Sequence, residues 1–126
     1  MHKGFLTTAA VFGALSVALG AFGAHALKET LSSQSLITYE TAVRYQFYHV
    51  FALALAGVLC DYFGVRLIRY AGILFIAGII LFSGSLYLLS FLSEYRWLGA
   101  ITPLGGLCFI GGWLLLAAGV ARGKAG

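Results

Sequence analysis

The sequence predicts an all-α fold, an antiparallel bundle of four transmembrane helices. Four uncharged stretches rich in aliphatic and aromatic residues divide the 126-residue chain, at 4–27, 45–60, 70–93 and 97–121. Hydrophobic residues make up 61% of the chain and charged residues only 10%, and the mean hydropathy is +0.97, outside the averages for soluble domains. A bilayer offers backbone amides no partner, so apolar stretches of about 20 residues form spanning helices. Residues 1–126 are therefore expected to form one membrane domain.

The first span is expected at 5–27. Its beginning is similar to a secretory signal peptide, because Lys3 precedes an apolar run and the Ala-His-Ala sequence at 24–26 has the small-x-small pattern of a cleavage site. The apolar run is longer than the roughly 7 to 15 residues of a signal-peptide core. We therefore expect the first helix to be retained.

The second span is expected at 36–60, with Ser35 as its N-cap and Thr38 as the alternative. Glu40 and Arg44 lie one helical turn apart and are expected to form an ion pair near its start. The uncharged part of this helix, 45–60, has only 16 residues. Arg44 is therefore expected to extend its charged head out of the hydrocarbon.

The third span is expected at 67–92, and the fourth ends near 121 but has two possible starts. Pro103 can be the first helical residue with Thr102 as N-cap, or it can kink a helix that begins near Leu98. We favour the start at Pro103, because it still leaves roughly 28 Å of helix. The free amides of 104–106 would then suit an anionic group.

Small residues recur every seven positions in three of the spans. Since lipid gives helices no hydrophobic reason to associate, a stripe of small residues that lets backbones approach closely is a common source of contact energy. A period of seven indicates left-handed crossings near +20°. The stripe residues expected at helix interfaces are Gly13, Gly20, Ala71, Gly78, Gly105, Gly112 and Gly119.

The basic residues are distributed unevenly between the two sides of the membrane. The side of the N- and C-termini carries Lys3, Arg66, Arg69, Arg122 and Lys124, and the other side carries Lys28, Arg44 and Arg96. Cytoplasmic flanks are enriched in Lys and Arg, so this asymmetry predicts that both termini are cytoplasmic. The predicted location is the cell (inner) membrane.

Polar side chains on all four spans are expected at similar depth in the outer half of the membrane. An ionisable group within a span is a functional candidate by default, but a neutral histidine can equally hold two helices together by hydrogen bonds. The sequence leaves both alternatives open for the two histidines of this set. The candidate polar or ligand-binding residues are His25, Tyr45, Gln46, His49, Ser83, Ser85, Tyr87 and Thr102.

Several chemistries are disfavoured by where their residues fall. Cys60 lies at the inner end of its span and both candidate histidines near the outer end, so no metal site is expected. The four acids lie at span boundaries, which disfavours a proton pump, and the scattered basic residues give no nucleic-acid patch. A hydrolase with Ser83 or Ser85 as nucleophile lacks an oxyanion site and an orienting carboxylate. No catalytic residue, metal or cofactor is therefore predicted.

Five motifs of the chain resemble a known family. They are Gly-Ala-Phe-Gly-Ala-His at 20–25, Tyr45 with His49, Phe-Ser-Gly-Ser-Leu-Tyr at 82–87, Thr-Pro-Leu-Gly-Gly at 102–106 and Gly-Trp at 112–113. The chain resembles the bacterial inner-membrane family called domain of unknown function 423, the transmembrane protein 256-like proteins. The resemblance implies a small protein with four spans and a retained first helix, and it implies no reaction, substrate or cofactor.

The sequence favours a non-enzymatic function. We expect either an accessory subunit that presents helix faces to a membrane partner, or a module that binds lipid or a small ligand at the polar residues. The alternative is a small passive channel or carrier formed by several copies, and an intramembrane serine hydrolase comes third. The expected partners are membrane lipid and a second copy or another membrane protein, and not nucleic acid.

Overall fold

The computed structural model describes residues 1–63 and 66–123. It contains four helical segments that are long enough and apolar enough to cross a bilayer. The predicted all-α bundle of four membrane helices is confirmed. Lys124, one of the basic residues counted above, lies outside the described residues. The elements are α1 (Lys3–Phe22), a π-helical turn (Gly23–Leu27), α2 (Ser33–Phe63), α3 (Arg66–Gly78), a second π-helical turn (Ile79–Ser83), α4 (Gly84–Phe91) and α5 (Leu98–Arg122).

The third span, formed by α3, the second π turn and α4, is the centre of the bundle. It packs against both α2 and α5, whereas α1 packs mainly on α2. Within the described residues α1 and α5 share no extensive interface, and the contact between α2 and α5 is narrow. The side chains of Leu53, Ile68 and Phe75 are fully buried between the spans. The bundle is therefore filled at its centre and open to lipid between neighbouring spans.

The start of α2 differs from the prediction. The helix begins at Ser33, and the Ser32 hydroxyl accepts a hydrogen bond from the Ser35 amide at 3.1 Å. Ser32 therefore caps the helix and the predicted Ser35 cap is wrong, because the polar loop folds into the helix one turn earlier. Glu40 and Arg44 are both exposed and do not form the expected ion pair. Their charged groups remain available to other partners.

The start of α5 also differs from the prediction. The helix begins at Leu98, so the favoured start at Pro103 is wrong and Pro103 lies inside the helix. The amides of Leu98, Gly99 and Ala100 donate to the carbonyls three residues earlier, at 3.0 to 3.1 Å. These tight turns nucleate the helix upstream of the proline. The amides of 104–106 consequently lie within α5 and form no helix N-terminus for an anion.

The small-residue stripe of α5 faces the third span. A methyl group added at Gly112 would come within 2.6 Å of the Phe75 ring, and one at Gly119 within 2.5 Å of Ile68. One added at Gly105 would overlap the Phe82 backbone. On α3, Ala71 is fully buried, and the ring of Phe109 occupies the position that a side chain at Gly78 would take. On α1, Gly13 and Gly20 face Val50 and Val43 with ordinary van der Waals spacing.

Candidate functional site

The predicted polar residues divide into a buried group and one exposed residue. His25 lies exposed on the π turn that ends the first span. The other seven are buried or half-buried between the spans: Tyr45, Gln46, His49, Ser83, Ser85, Tyr87 and Thr102. The exposed His25 side chain is thus separated from the buried group.

Gln46 joins three spans. Its amide nitrogen donates to the carbonyl oxygen of Phe12 on α1 at 2.9 Å, and its amide oxygen accepts a hydrogen bond from the Tyr87 hydroxyl on α4 at 2.6 Å. Gln46 itself is only 3% exposed. Both ends of one side chain are therefore satisfied by protein groups, as a buried amide requires.

The two candidate nucleophiles are also hydrogen-bonded within the bundle. The Ser83 hydroxyl donates to the Ala42 carbonyl on α2 at 2.8 Å. The Ser85 hydroxyl donates to the Phe82 carbonyl at 3.0 Å, and it lies 2.6 Å from the Thr102 hydroxyl on α5. A hydroxyl has one proton, so Thr102 is the donor to Ser85. Neither serine has a histidine as partner, and His49 bonds elsewhere.

His49 is held by both ring nitrogens. Its Nδ1 lies 2.7 Å from the Tyr45 carbonyl oxygen, which can only accept, so Nδ1 carries a proton. The indole nitrogen of Trp113 on α5 can only donate, and it lies 3.1 Å from Nε2, which is therefore unprotonated. The imidazole also stacks on Phe109, with ring centroids 3.5 Å apart and planes 6° apart. This geometry requires the neutral Nδ1–H tautomer.

Two of the polar residues bond to residues that lie inside neighbouring spans. Gln46 bonds to Phe12, which is the tenth residue of the first span, Lys3–Leu27. His49 bonds to Trp113, nine residues before the end of α5 at Arg122. Both bonding partners therefore lie within their spans and not at the span ends.

An open aromatic groove of about 380 Å³ lies where α2 and α5 diverge. It is lined by Tyr45 and His49 of α2 and by Phe109 and Trp113 of α5, and the two α5 side chains contact His49 directly. Phe82 closes the floor from the third span, with its ring 4.7 Å from that of Tyr45. The Tyr45 side chain is half-buried, and its hydroxyl makes no hydrogen bond to the described residues. We call this feature the aromatic groove.

The two aromatic residues that contact the His49 ring from α5 are absent from the predicted site. Trp113 and Phe109 fix the ring of His49, yet both read as ordinary apolar residues of a span. A signal was available for Trp113, because tryptophan favours the membrane interface and an indole N–H placed deep in a span needs an acceptor. Phe109 carries no such signal, since its neighbour on α2 is set by helix packing.

Comparison with known proteins identifies the family that this chain matches. The family described as "Protein of unknown function (DUF423)" matches residues 19–106. A UPF0382 membrane protein of Staphylococcus haemolyticus is 46% identical over 114 residues, which cover 90% of this chain and 92% of that protein. The UPF0382 membrane protein YwdK of Bacillus subtilis is 41% identical over 121 residues, 95% of this chain and 98% of YwdK. No solved structure matches the chain.

Proposed function

The chain belongs to the family of proteins of unknown function DUF423, and we propose that it is a non-enzymatic membrane module that binds a lipid-soluble ligand in the aromatic groove. The observation that carries this proposal is the state of His49. Both of its nitrogens are occupied by protein groups, while its ring forms a wall of the groove. The imidazole is therefore held rigidly beside the groove and is not available as a base.

The hydrogen bonds of the interior support a binding function over catalysis. The protons of Ser83 and Ser85 are donated to backbone carbonyls, so neither hydroxyl is activated as a nucleophile. Large side chains such as Phe75 fill the centre of the bundle, which disfavours a pore through a single copy. A ligand is better accommodated at the side of the bundle, where the aromatic groove opens to lipid.

The walls of the aromatic groove favour a flat ring with an oxygen acceptor. Aromatic side chains bind rings by offset stacking and edge contacts. The Tyr45 hydroxyl has no hydrogen-bond partner among the described residues, so an acceptor oxygen on the ligand would gain a hydrogen bond from it. A lipid-soluble carbonyl compound with a ring meets both requirements.

Titration of 1,4-naphthoquinone into the protein in lipid nanodiscs tests the proposal. In a Trp97→Phe background Trp113 is the remaining tryptophan, and we expect its fluorescence to be quenched with a saturable profile. Tyr45→Phe removes one hydrogen bond, worth about 1 kcal/mol, and should weaken binding about fivefold. Tyr48→Phe, which removes an exposed hydroxyl on the same helix, is the matched control and should leave binding unchanged.

Quenching that rises linearly without saturation would show collisions within the bilayer and no site. Equal quenching curves for Tyr45→Phe and Tyr48→Phe would exclude the Tyr45 hydroxyl as a ligand contact. Either result contradicts the proposed site.

We further propose that the protein resides in the cell membrane with both termini cytoplasmic. The charge asymmetry supports this orientation, since Arg66 and Arg69 near the start of α3 and Arg122 at the end of α5 fall on the same side of an antiparallel bundle as Lys3 at the start of α1. A reporter that is active only in the cytoplasm should give signal when it is fused after Gly126. Signal from an exported reporter at the same position, with none from the cytoplasmic one, would reverse the assignment.

A further inference from the structure

A second groove follows one side of the seam between α1 and α2. Near the Leu27 end of the first span it is a pocket of about 200 Å³. Farther along the same pair of helices lies an apolar groove that includes Gly13, Val17, Phe47 and Val50. We call the two parts together the seam groove. The pocket part is lined by Gly20, Gly23, Ala24, Tyr39, Glu40, Val43 and Arg44.

Residue spacing shows that the two parts lie on the same face. Lining residues of α1 and its π turn follow one another at intervals of three and four, and those of α2 do the same. Side chains at these intervals share one side of a helix. These series are 6, 10, 13, 17, 20 and 24 in the first span and 40, 43, 47, 50 and 54 on α2, and the other lining residues, 9, 23, 39, 44 and 51, are each next in sequence to a member of a series. The two parts of the seam groove therefore lie on the same side of the seam, the charged part at one end and the apolar part farther along.

The charged end carries one cation and one anion that do not neutralise each other. Glu40 and Arg44 both line the pocket and are exposed, and no ion pair joins them. Side chains one turn apart on a helix can normally pair. Their separation leaves a carboxylate and a guanidinium free for groups of opposite charge on one molecule. On the facing helix, Gly20 packs on Val43 and Gly23 on the ring of Tyr39, so the pocket lies beside this close contact of the two spans.

The length of the apolar part matches one leaflet of a bilayer. From Arg44 to Ala54 the groove covers ten residues of α2, or roughly 15 Å at the rise of an α-helix. The hydrocarbon core of a bilayer is about 30 Å thick, so each leaflet contributes about half of that. An acyl chain that begins at the level of Arg44 would end near Ala54.

We infer that the seam groove binds a phospholipid whose headgroup carries a primary amine, such as phosphatidylethanolamine. Arg44 contacts the phosphate by charge-assisted hydrogen bonds, and Glu40 accepts from the ammonium. One acyl chain lies along the apolar part between α1 and α2. The pocket has no net charge, which favours a zwitterionic headgroup over an anionic one. A quaternary amine is a poorer fit, because it has no N–H to donate to Glu40.

This inference is independent of the ligand proposed for the aromatic groove, since the two sites share no lining residue. Their tests are therefore separate. Failure of naphthoquinone to bind would not contradict the phospholipid site in the seam groove. Failure of phospholipid to bind would not contradict the ligand site in the aromatic groove.

Native mass spectrometry of the full chain in detergent provides the test. The protein is delipidated and titrated with palmitoyl-oleoyl phosphatidylethanolamine, phosphatidylglycerol or phosphatidylcholine. We expect phosphatidylethanolamine to bind at least fivefold more tightly than the other two. Arg44→Gln should weaken binding of phosphatidylethanolamine and phosphatidylglycerol by a similar factor, since both carry the phosphate. Glu40→Gln should remove the preference for phosphatidylethanolamine over phosphatidylglycerol.

Glu29→Gln is the matched control, because Glu29 is an exposed acid near the same end of α1 that does not line the groove. It should leave both affinities unchanged. The inference fails if the three lipids bind equally, if none binds, or if Glu40→Gln behaves like Glu29→Gln. It also fails if Gly20→Leu, which fills the pocket, leaves lipid binding unchanged but alters the oligomeric state, since the groove would then accommodate a second copy.

Discussion

Gly105→Ala is expected to lower the free energy of unfolding by about 3 kcal/mol, the upper part of the range for overpacking. The added methyl group would overlap the backbone nitrogen and Cα of Phe82. A side chain can rotate away from such a contact, but the backbone of a packed helix cannot move without separating α5 from the third span. Reversible unfolding in mixed micelles, by addition of sodium dodecyl sulfate, measures the loss.

The adjacent glycine provides the control for this substitution. A methyl group at Gly106 would lie 3.9 Å from the Phe82 ring, an ordinary contact distance. Alanine has the higher helix propensity, so Gly106→Ala should be neutral or stabilising by up to about 1 kcal/mol. Equal stability of the two variants would show that close approach at Gly105 does not hold α5 in place.

Phe75→Ala is expected to cost about 3 to 5 kcal/mol, the range for truncation of a buried phenylalanine. The Phe75 side chain is fully buried, and it packs against Gly112 as well as the rings of His49 and Trp113. Its removal leaves a cavity behind the aromatic groove. Unfolding in the same mixed micelles measures the cost.

Ile73→Ala is the comparison, since Ile73 lies on the same helix with 51% of its surface exposed to lipid. Substitutions at such exposed positions usually change stability by no more than about 0.5 kcal/mol. If Phe75→Ala cost no more than Ile73→Ala, the packing of the third span described above would be wrong.

The sequence was sufficient to predict the four spans, because hydrocarbon imposes a length and a composition that are read directly from the chain. It also identified residues such as Gln46 and Ser83, since polar side chains within a span are rare. Which partner each residue takes could not be predicted. The acceptors of Gln46 and Ser83 are backbone carbonyls, of Phe12 and Ala42, and every residue has such a carbonyl.

The errors at the helix starts have local causes. Pro103 is compatible with the first turn of a helix, but hydrogen bonds from Leu98, Gly99 and Ala100 to the preceding turn begin α5 earlier. The Ser32 cap was missed because several polar residues in that loop can cap equally well. The contact between His49 and Trp113 joins residues 64 positions apart, which no local pattern indicates.

The central claim is that the polar residues of the spans hydrogen-bond to one another, so that a ligand binds at the side of the bundle and not inside it. Determining the tautomer of His49 tests this claim most directly. Nitrogen NMR of protein labelled at histidine, in bilayers at neutral pH, resolves protonated from unprotonated ring nitrogens, and the signal lost in His49→Asn assigns the residue. We predict a protonated Nδ1 and an unprotonated Nε2, with Nε2 shifted by Trp113→Phe. A charged imidazole, or a proton on Nε2 that is insensitive to Trp113→Phe, would contradict the account.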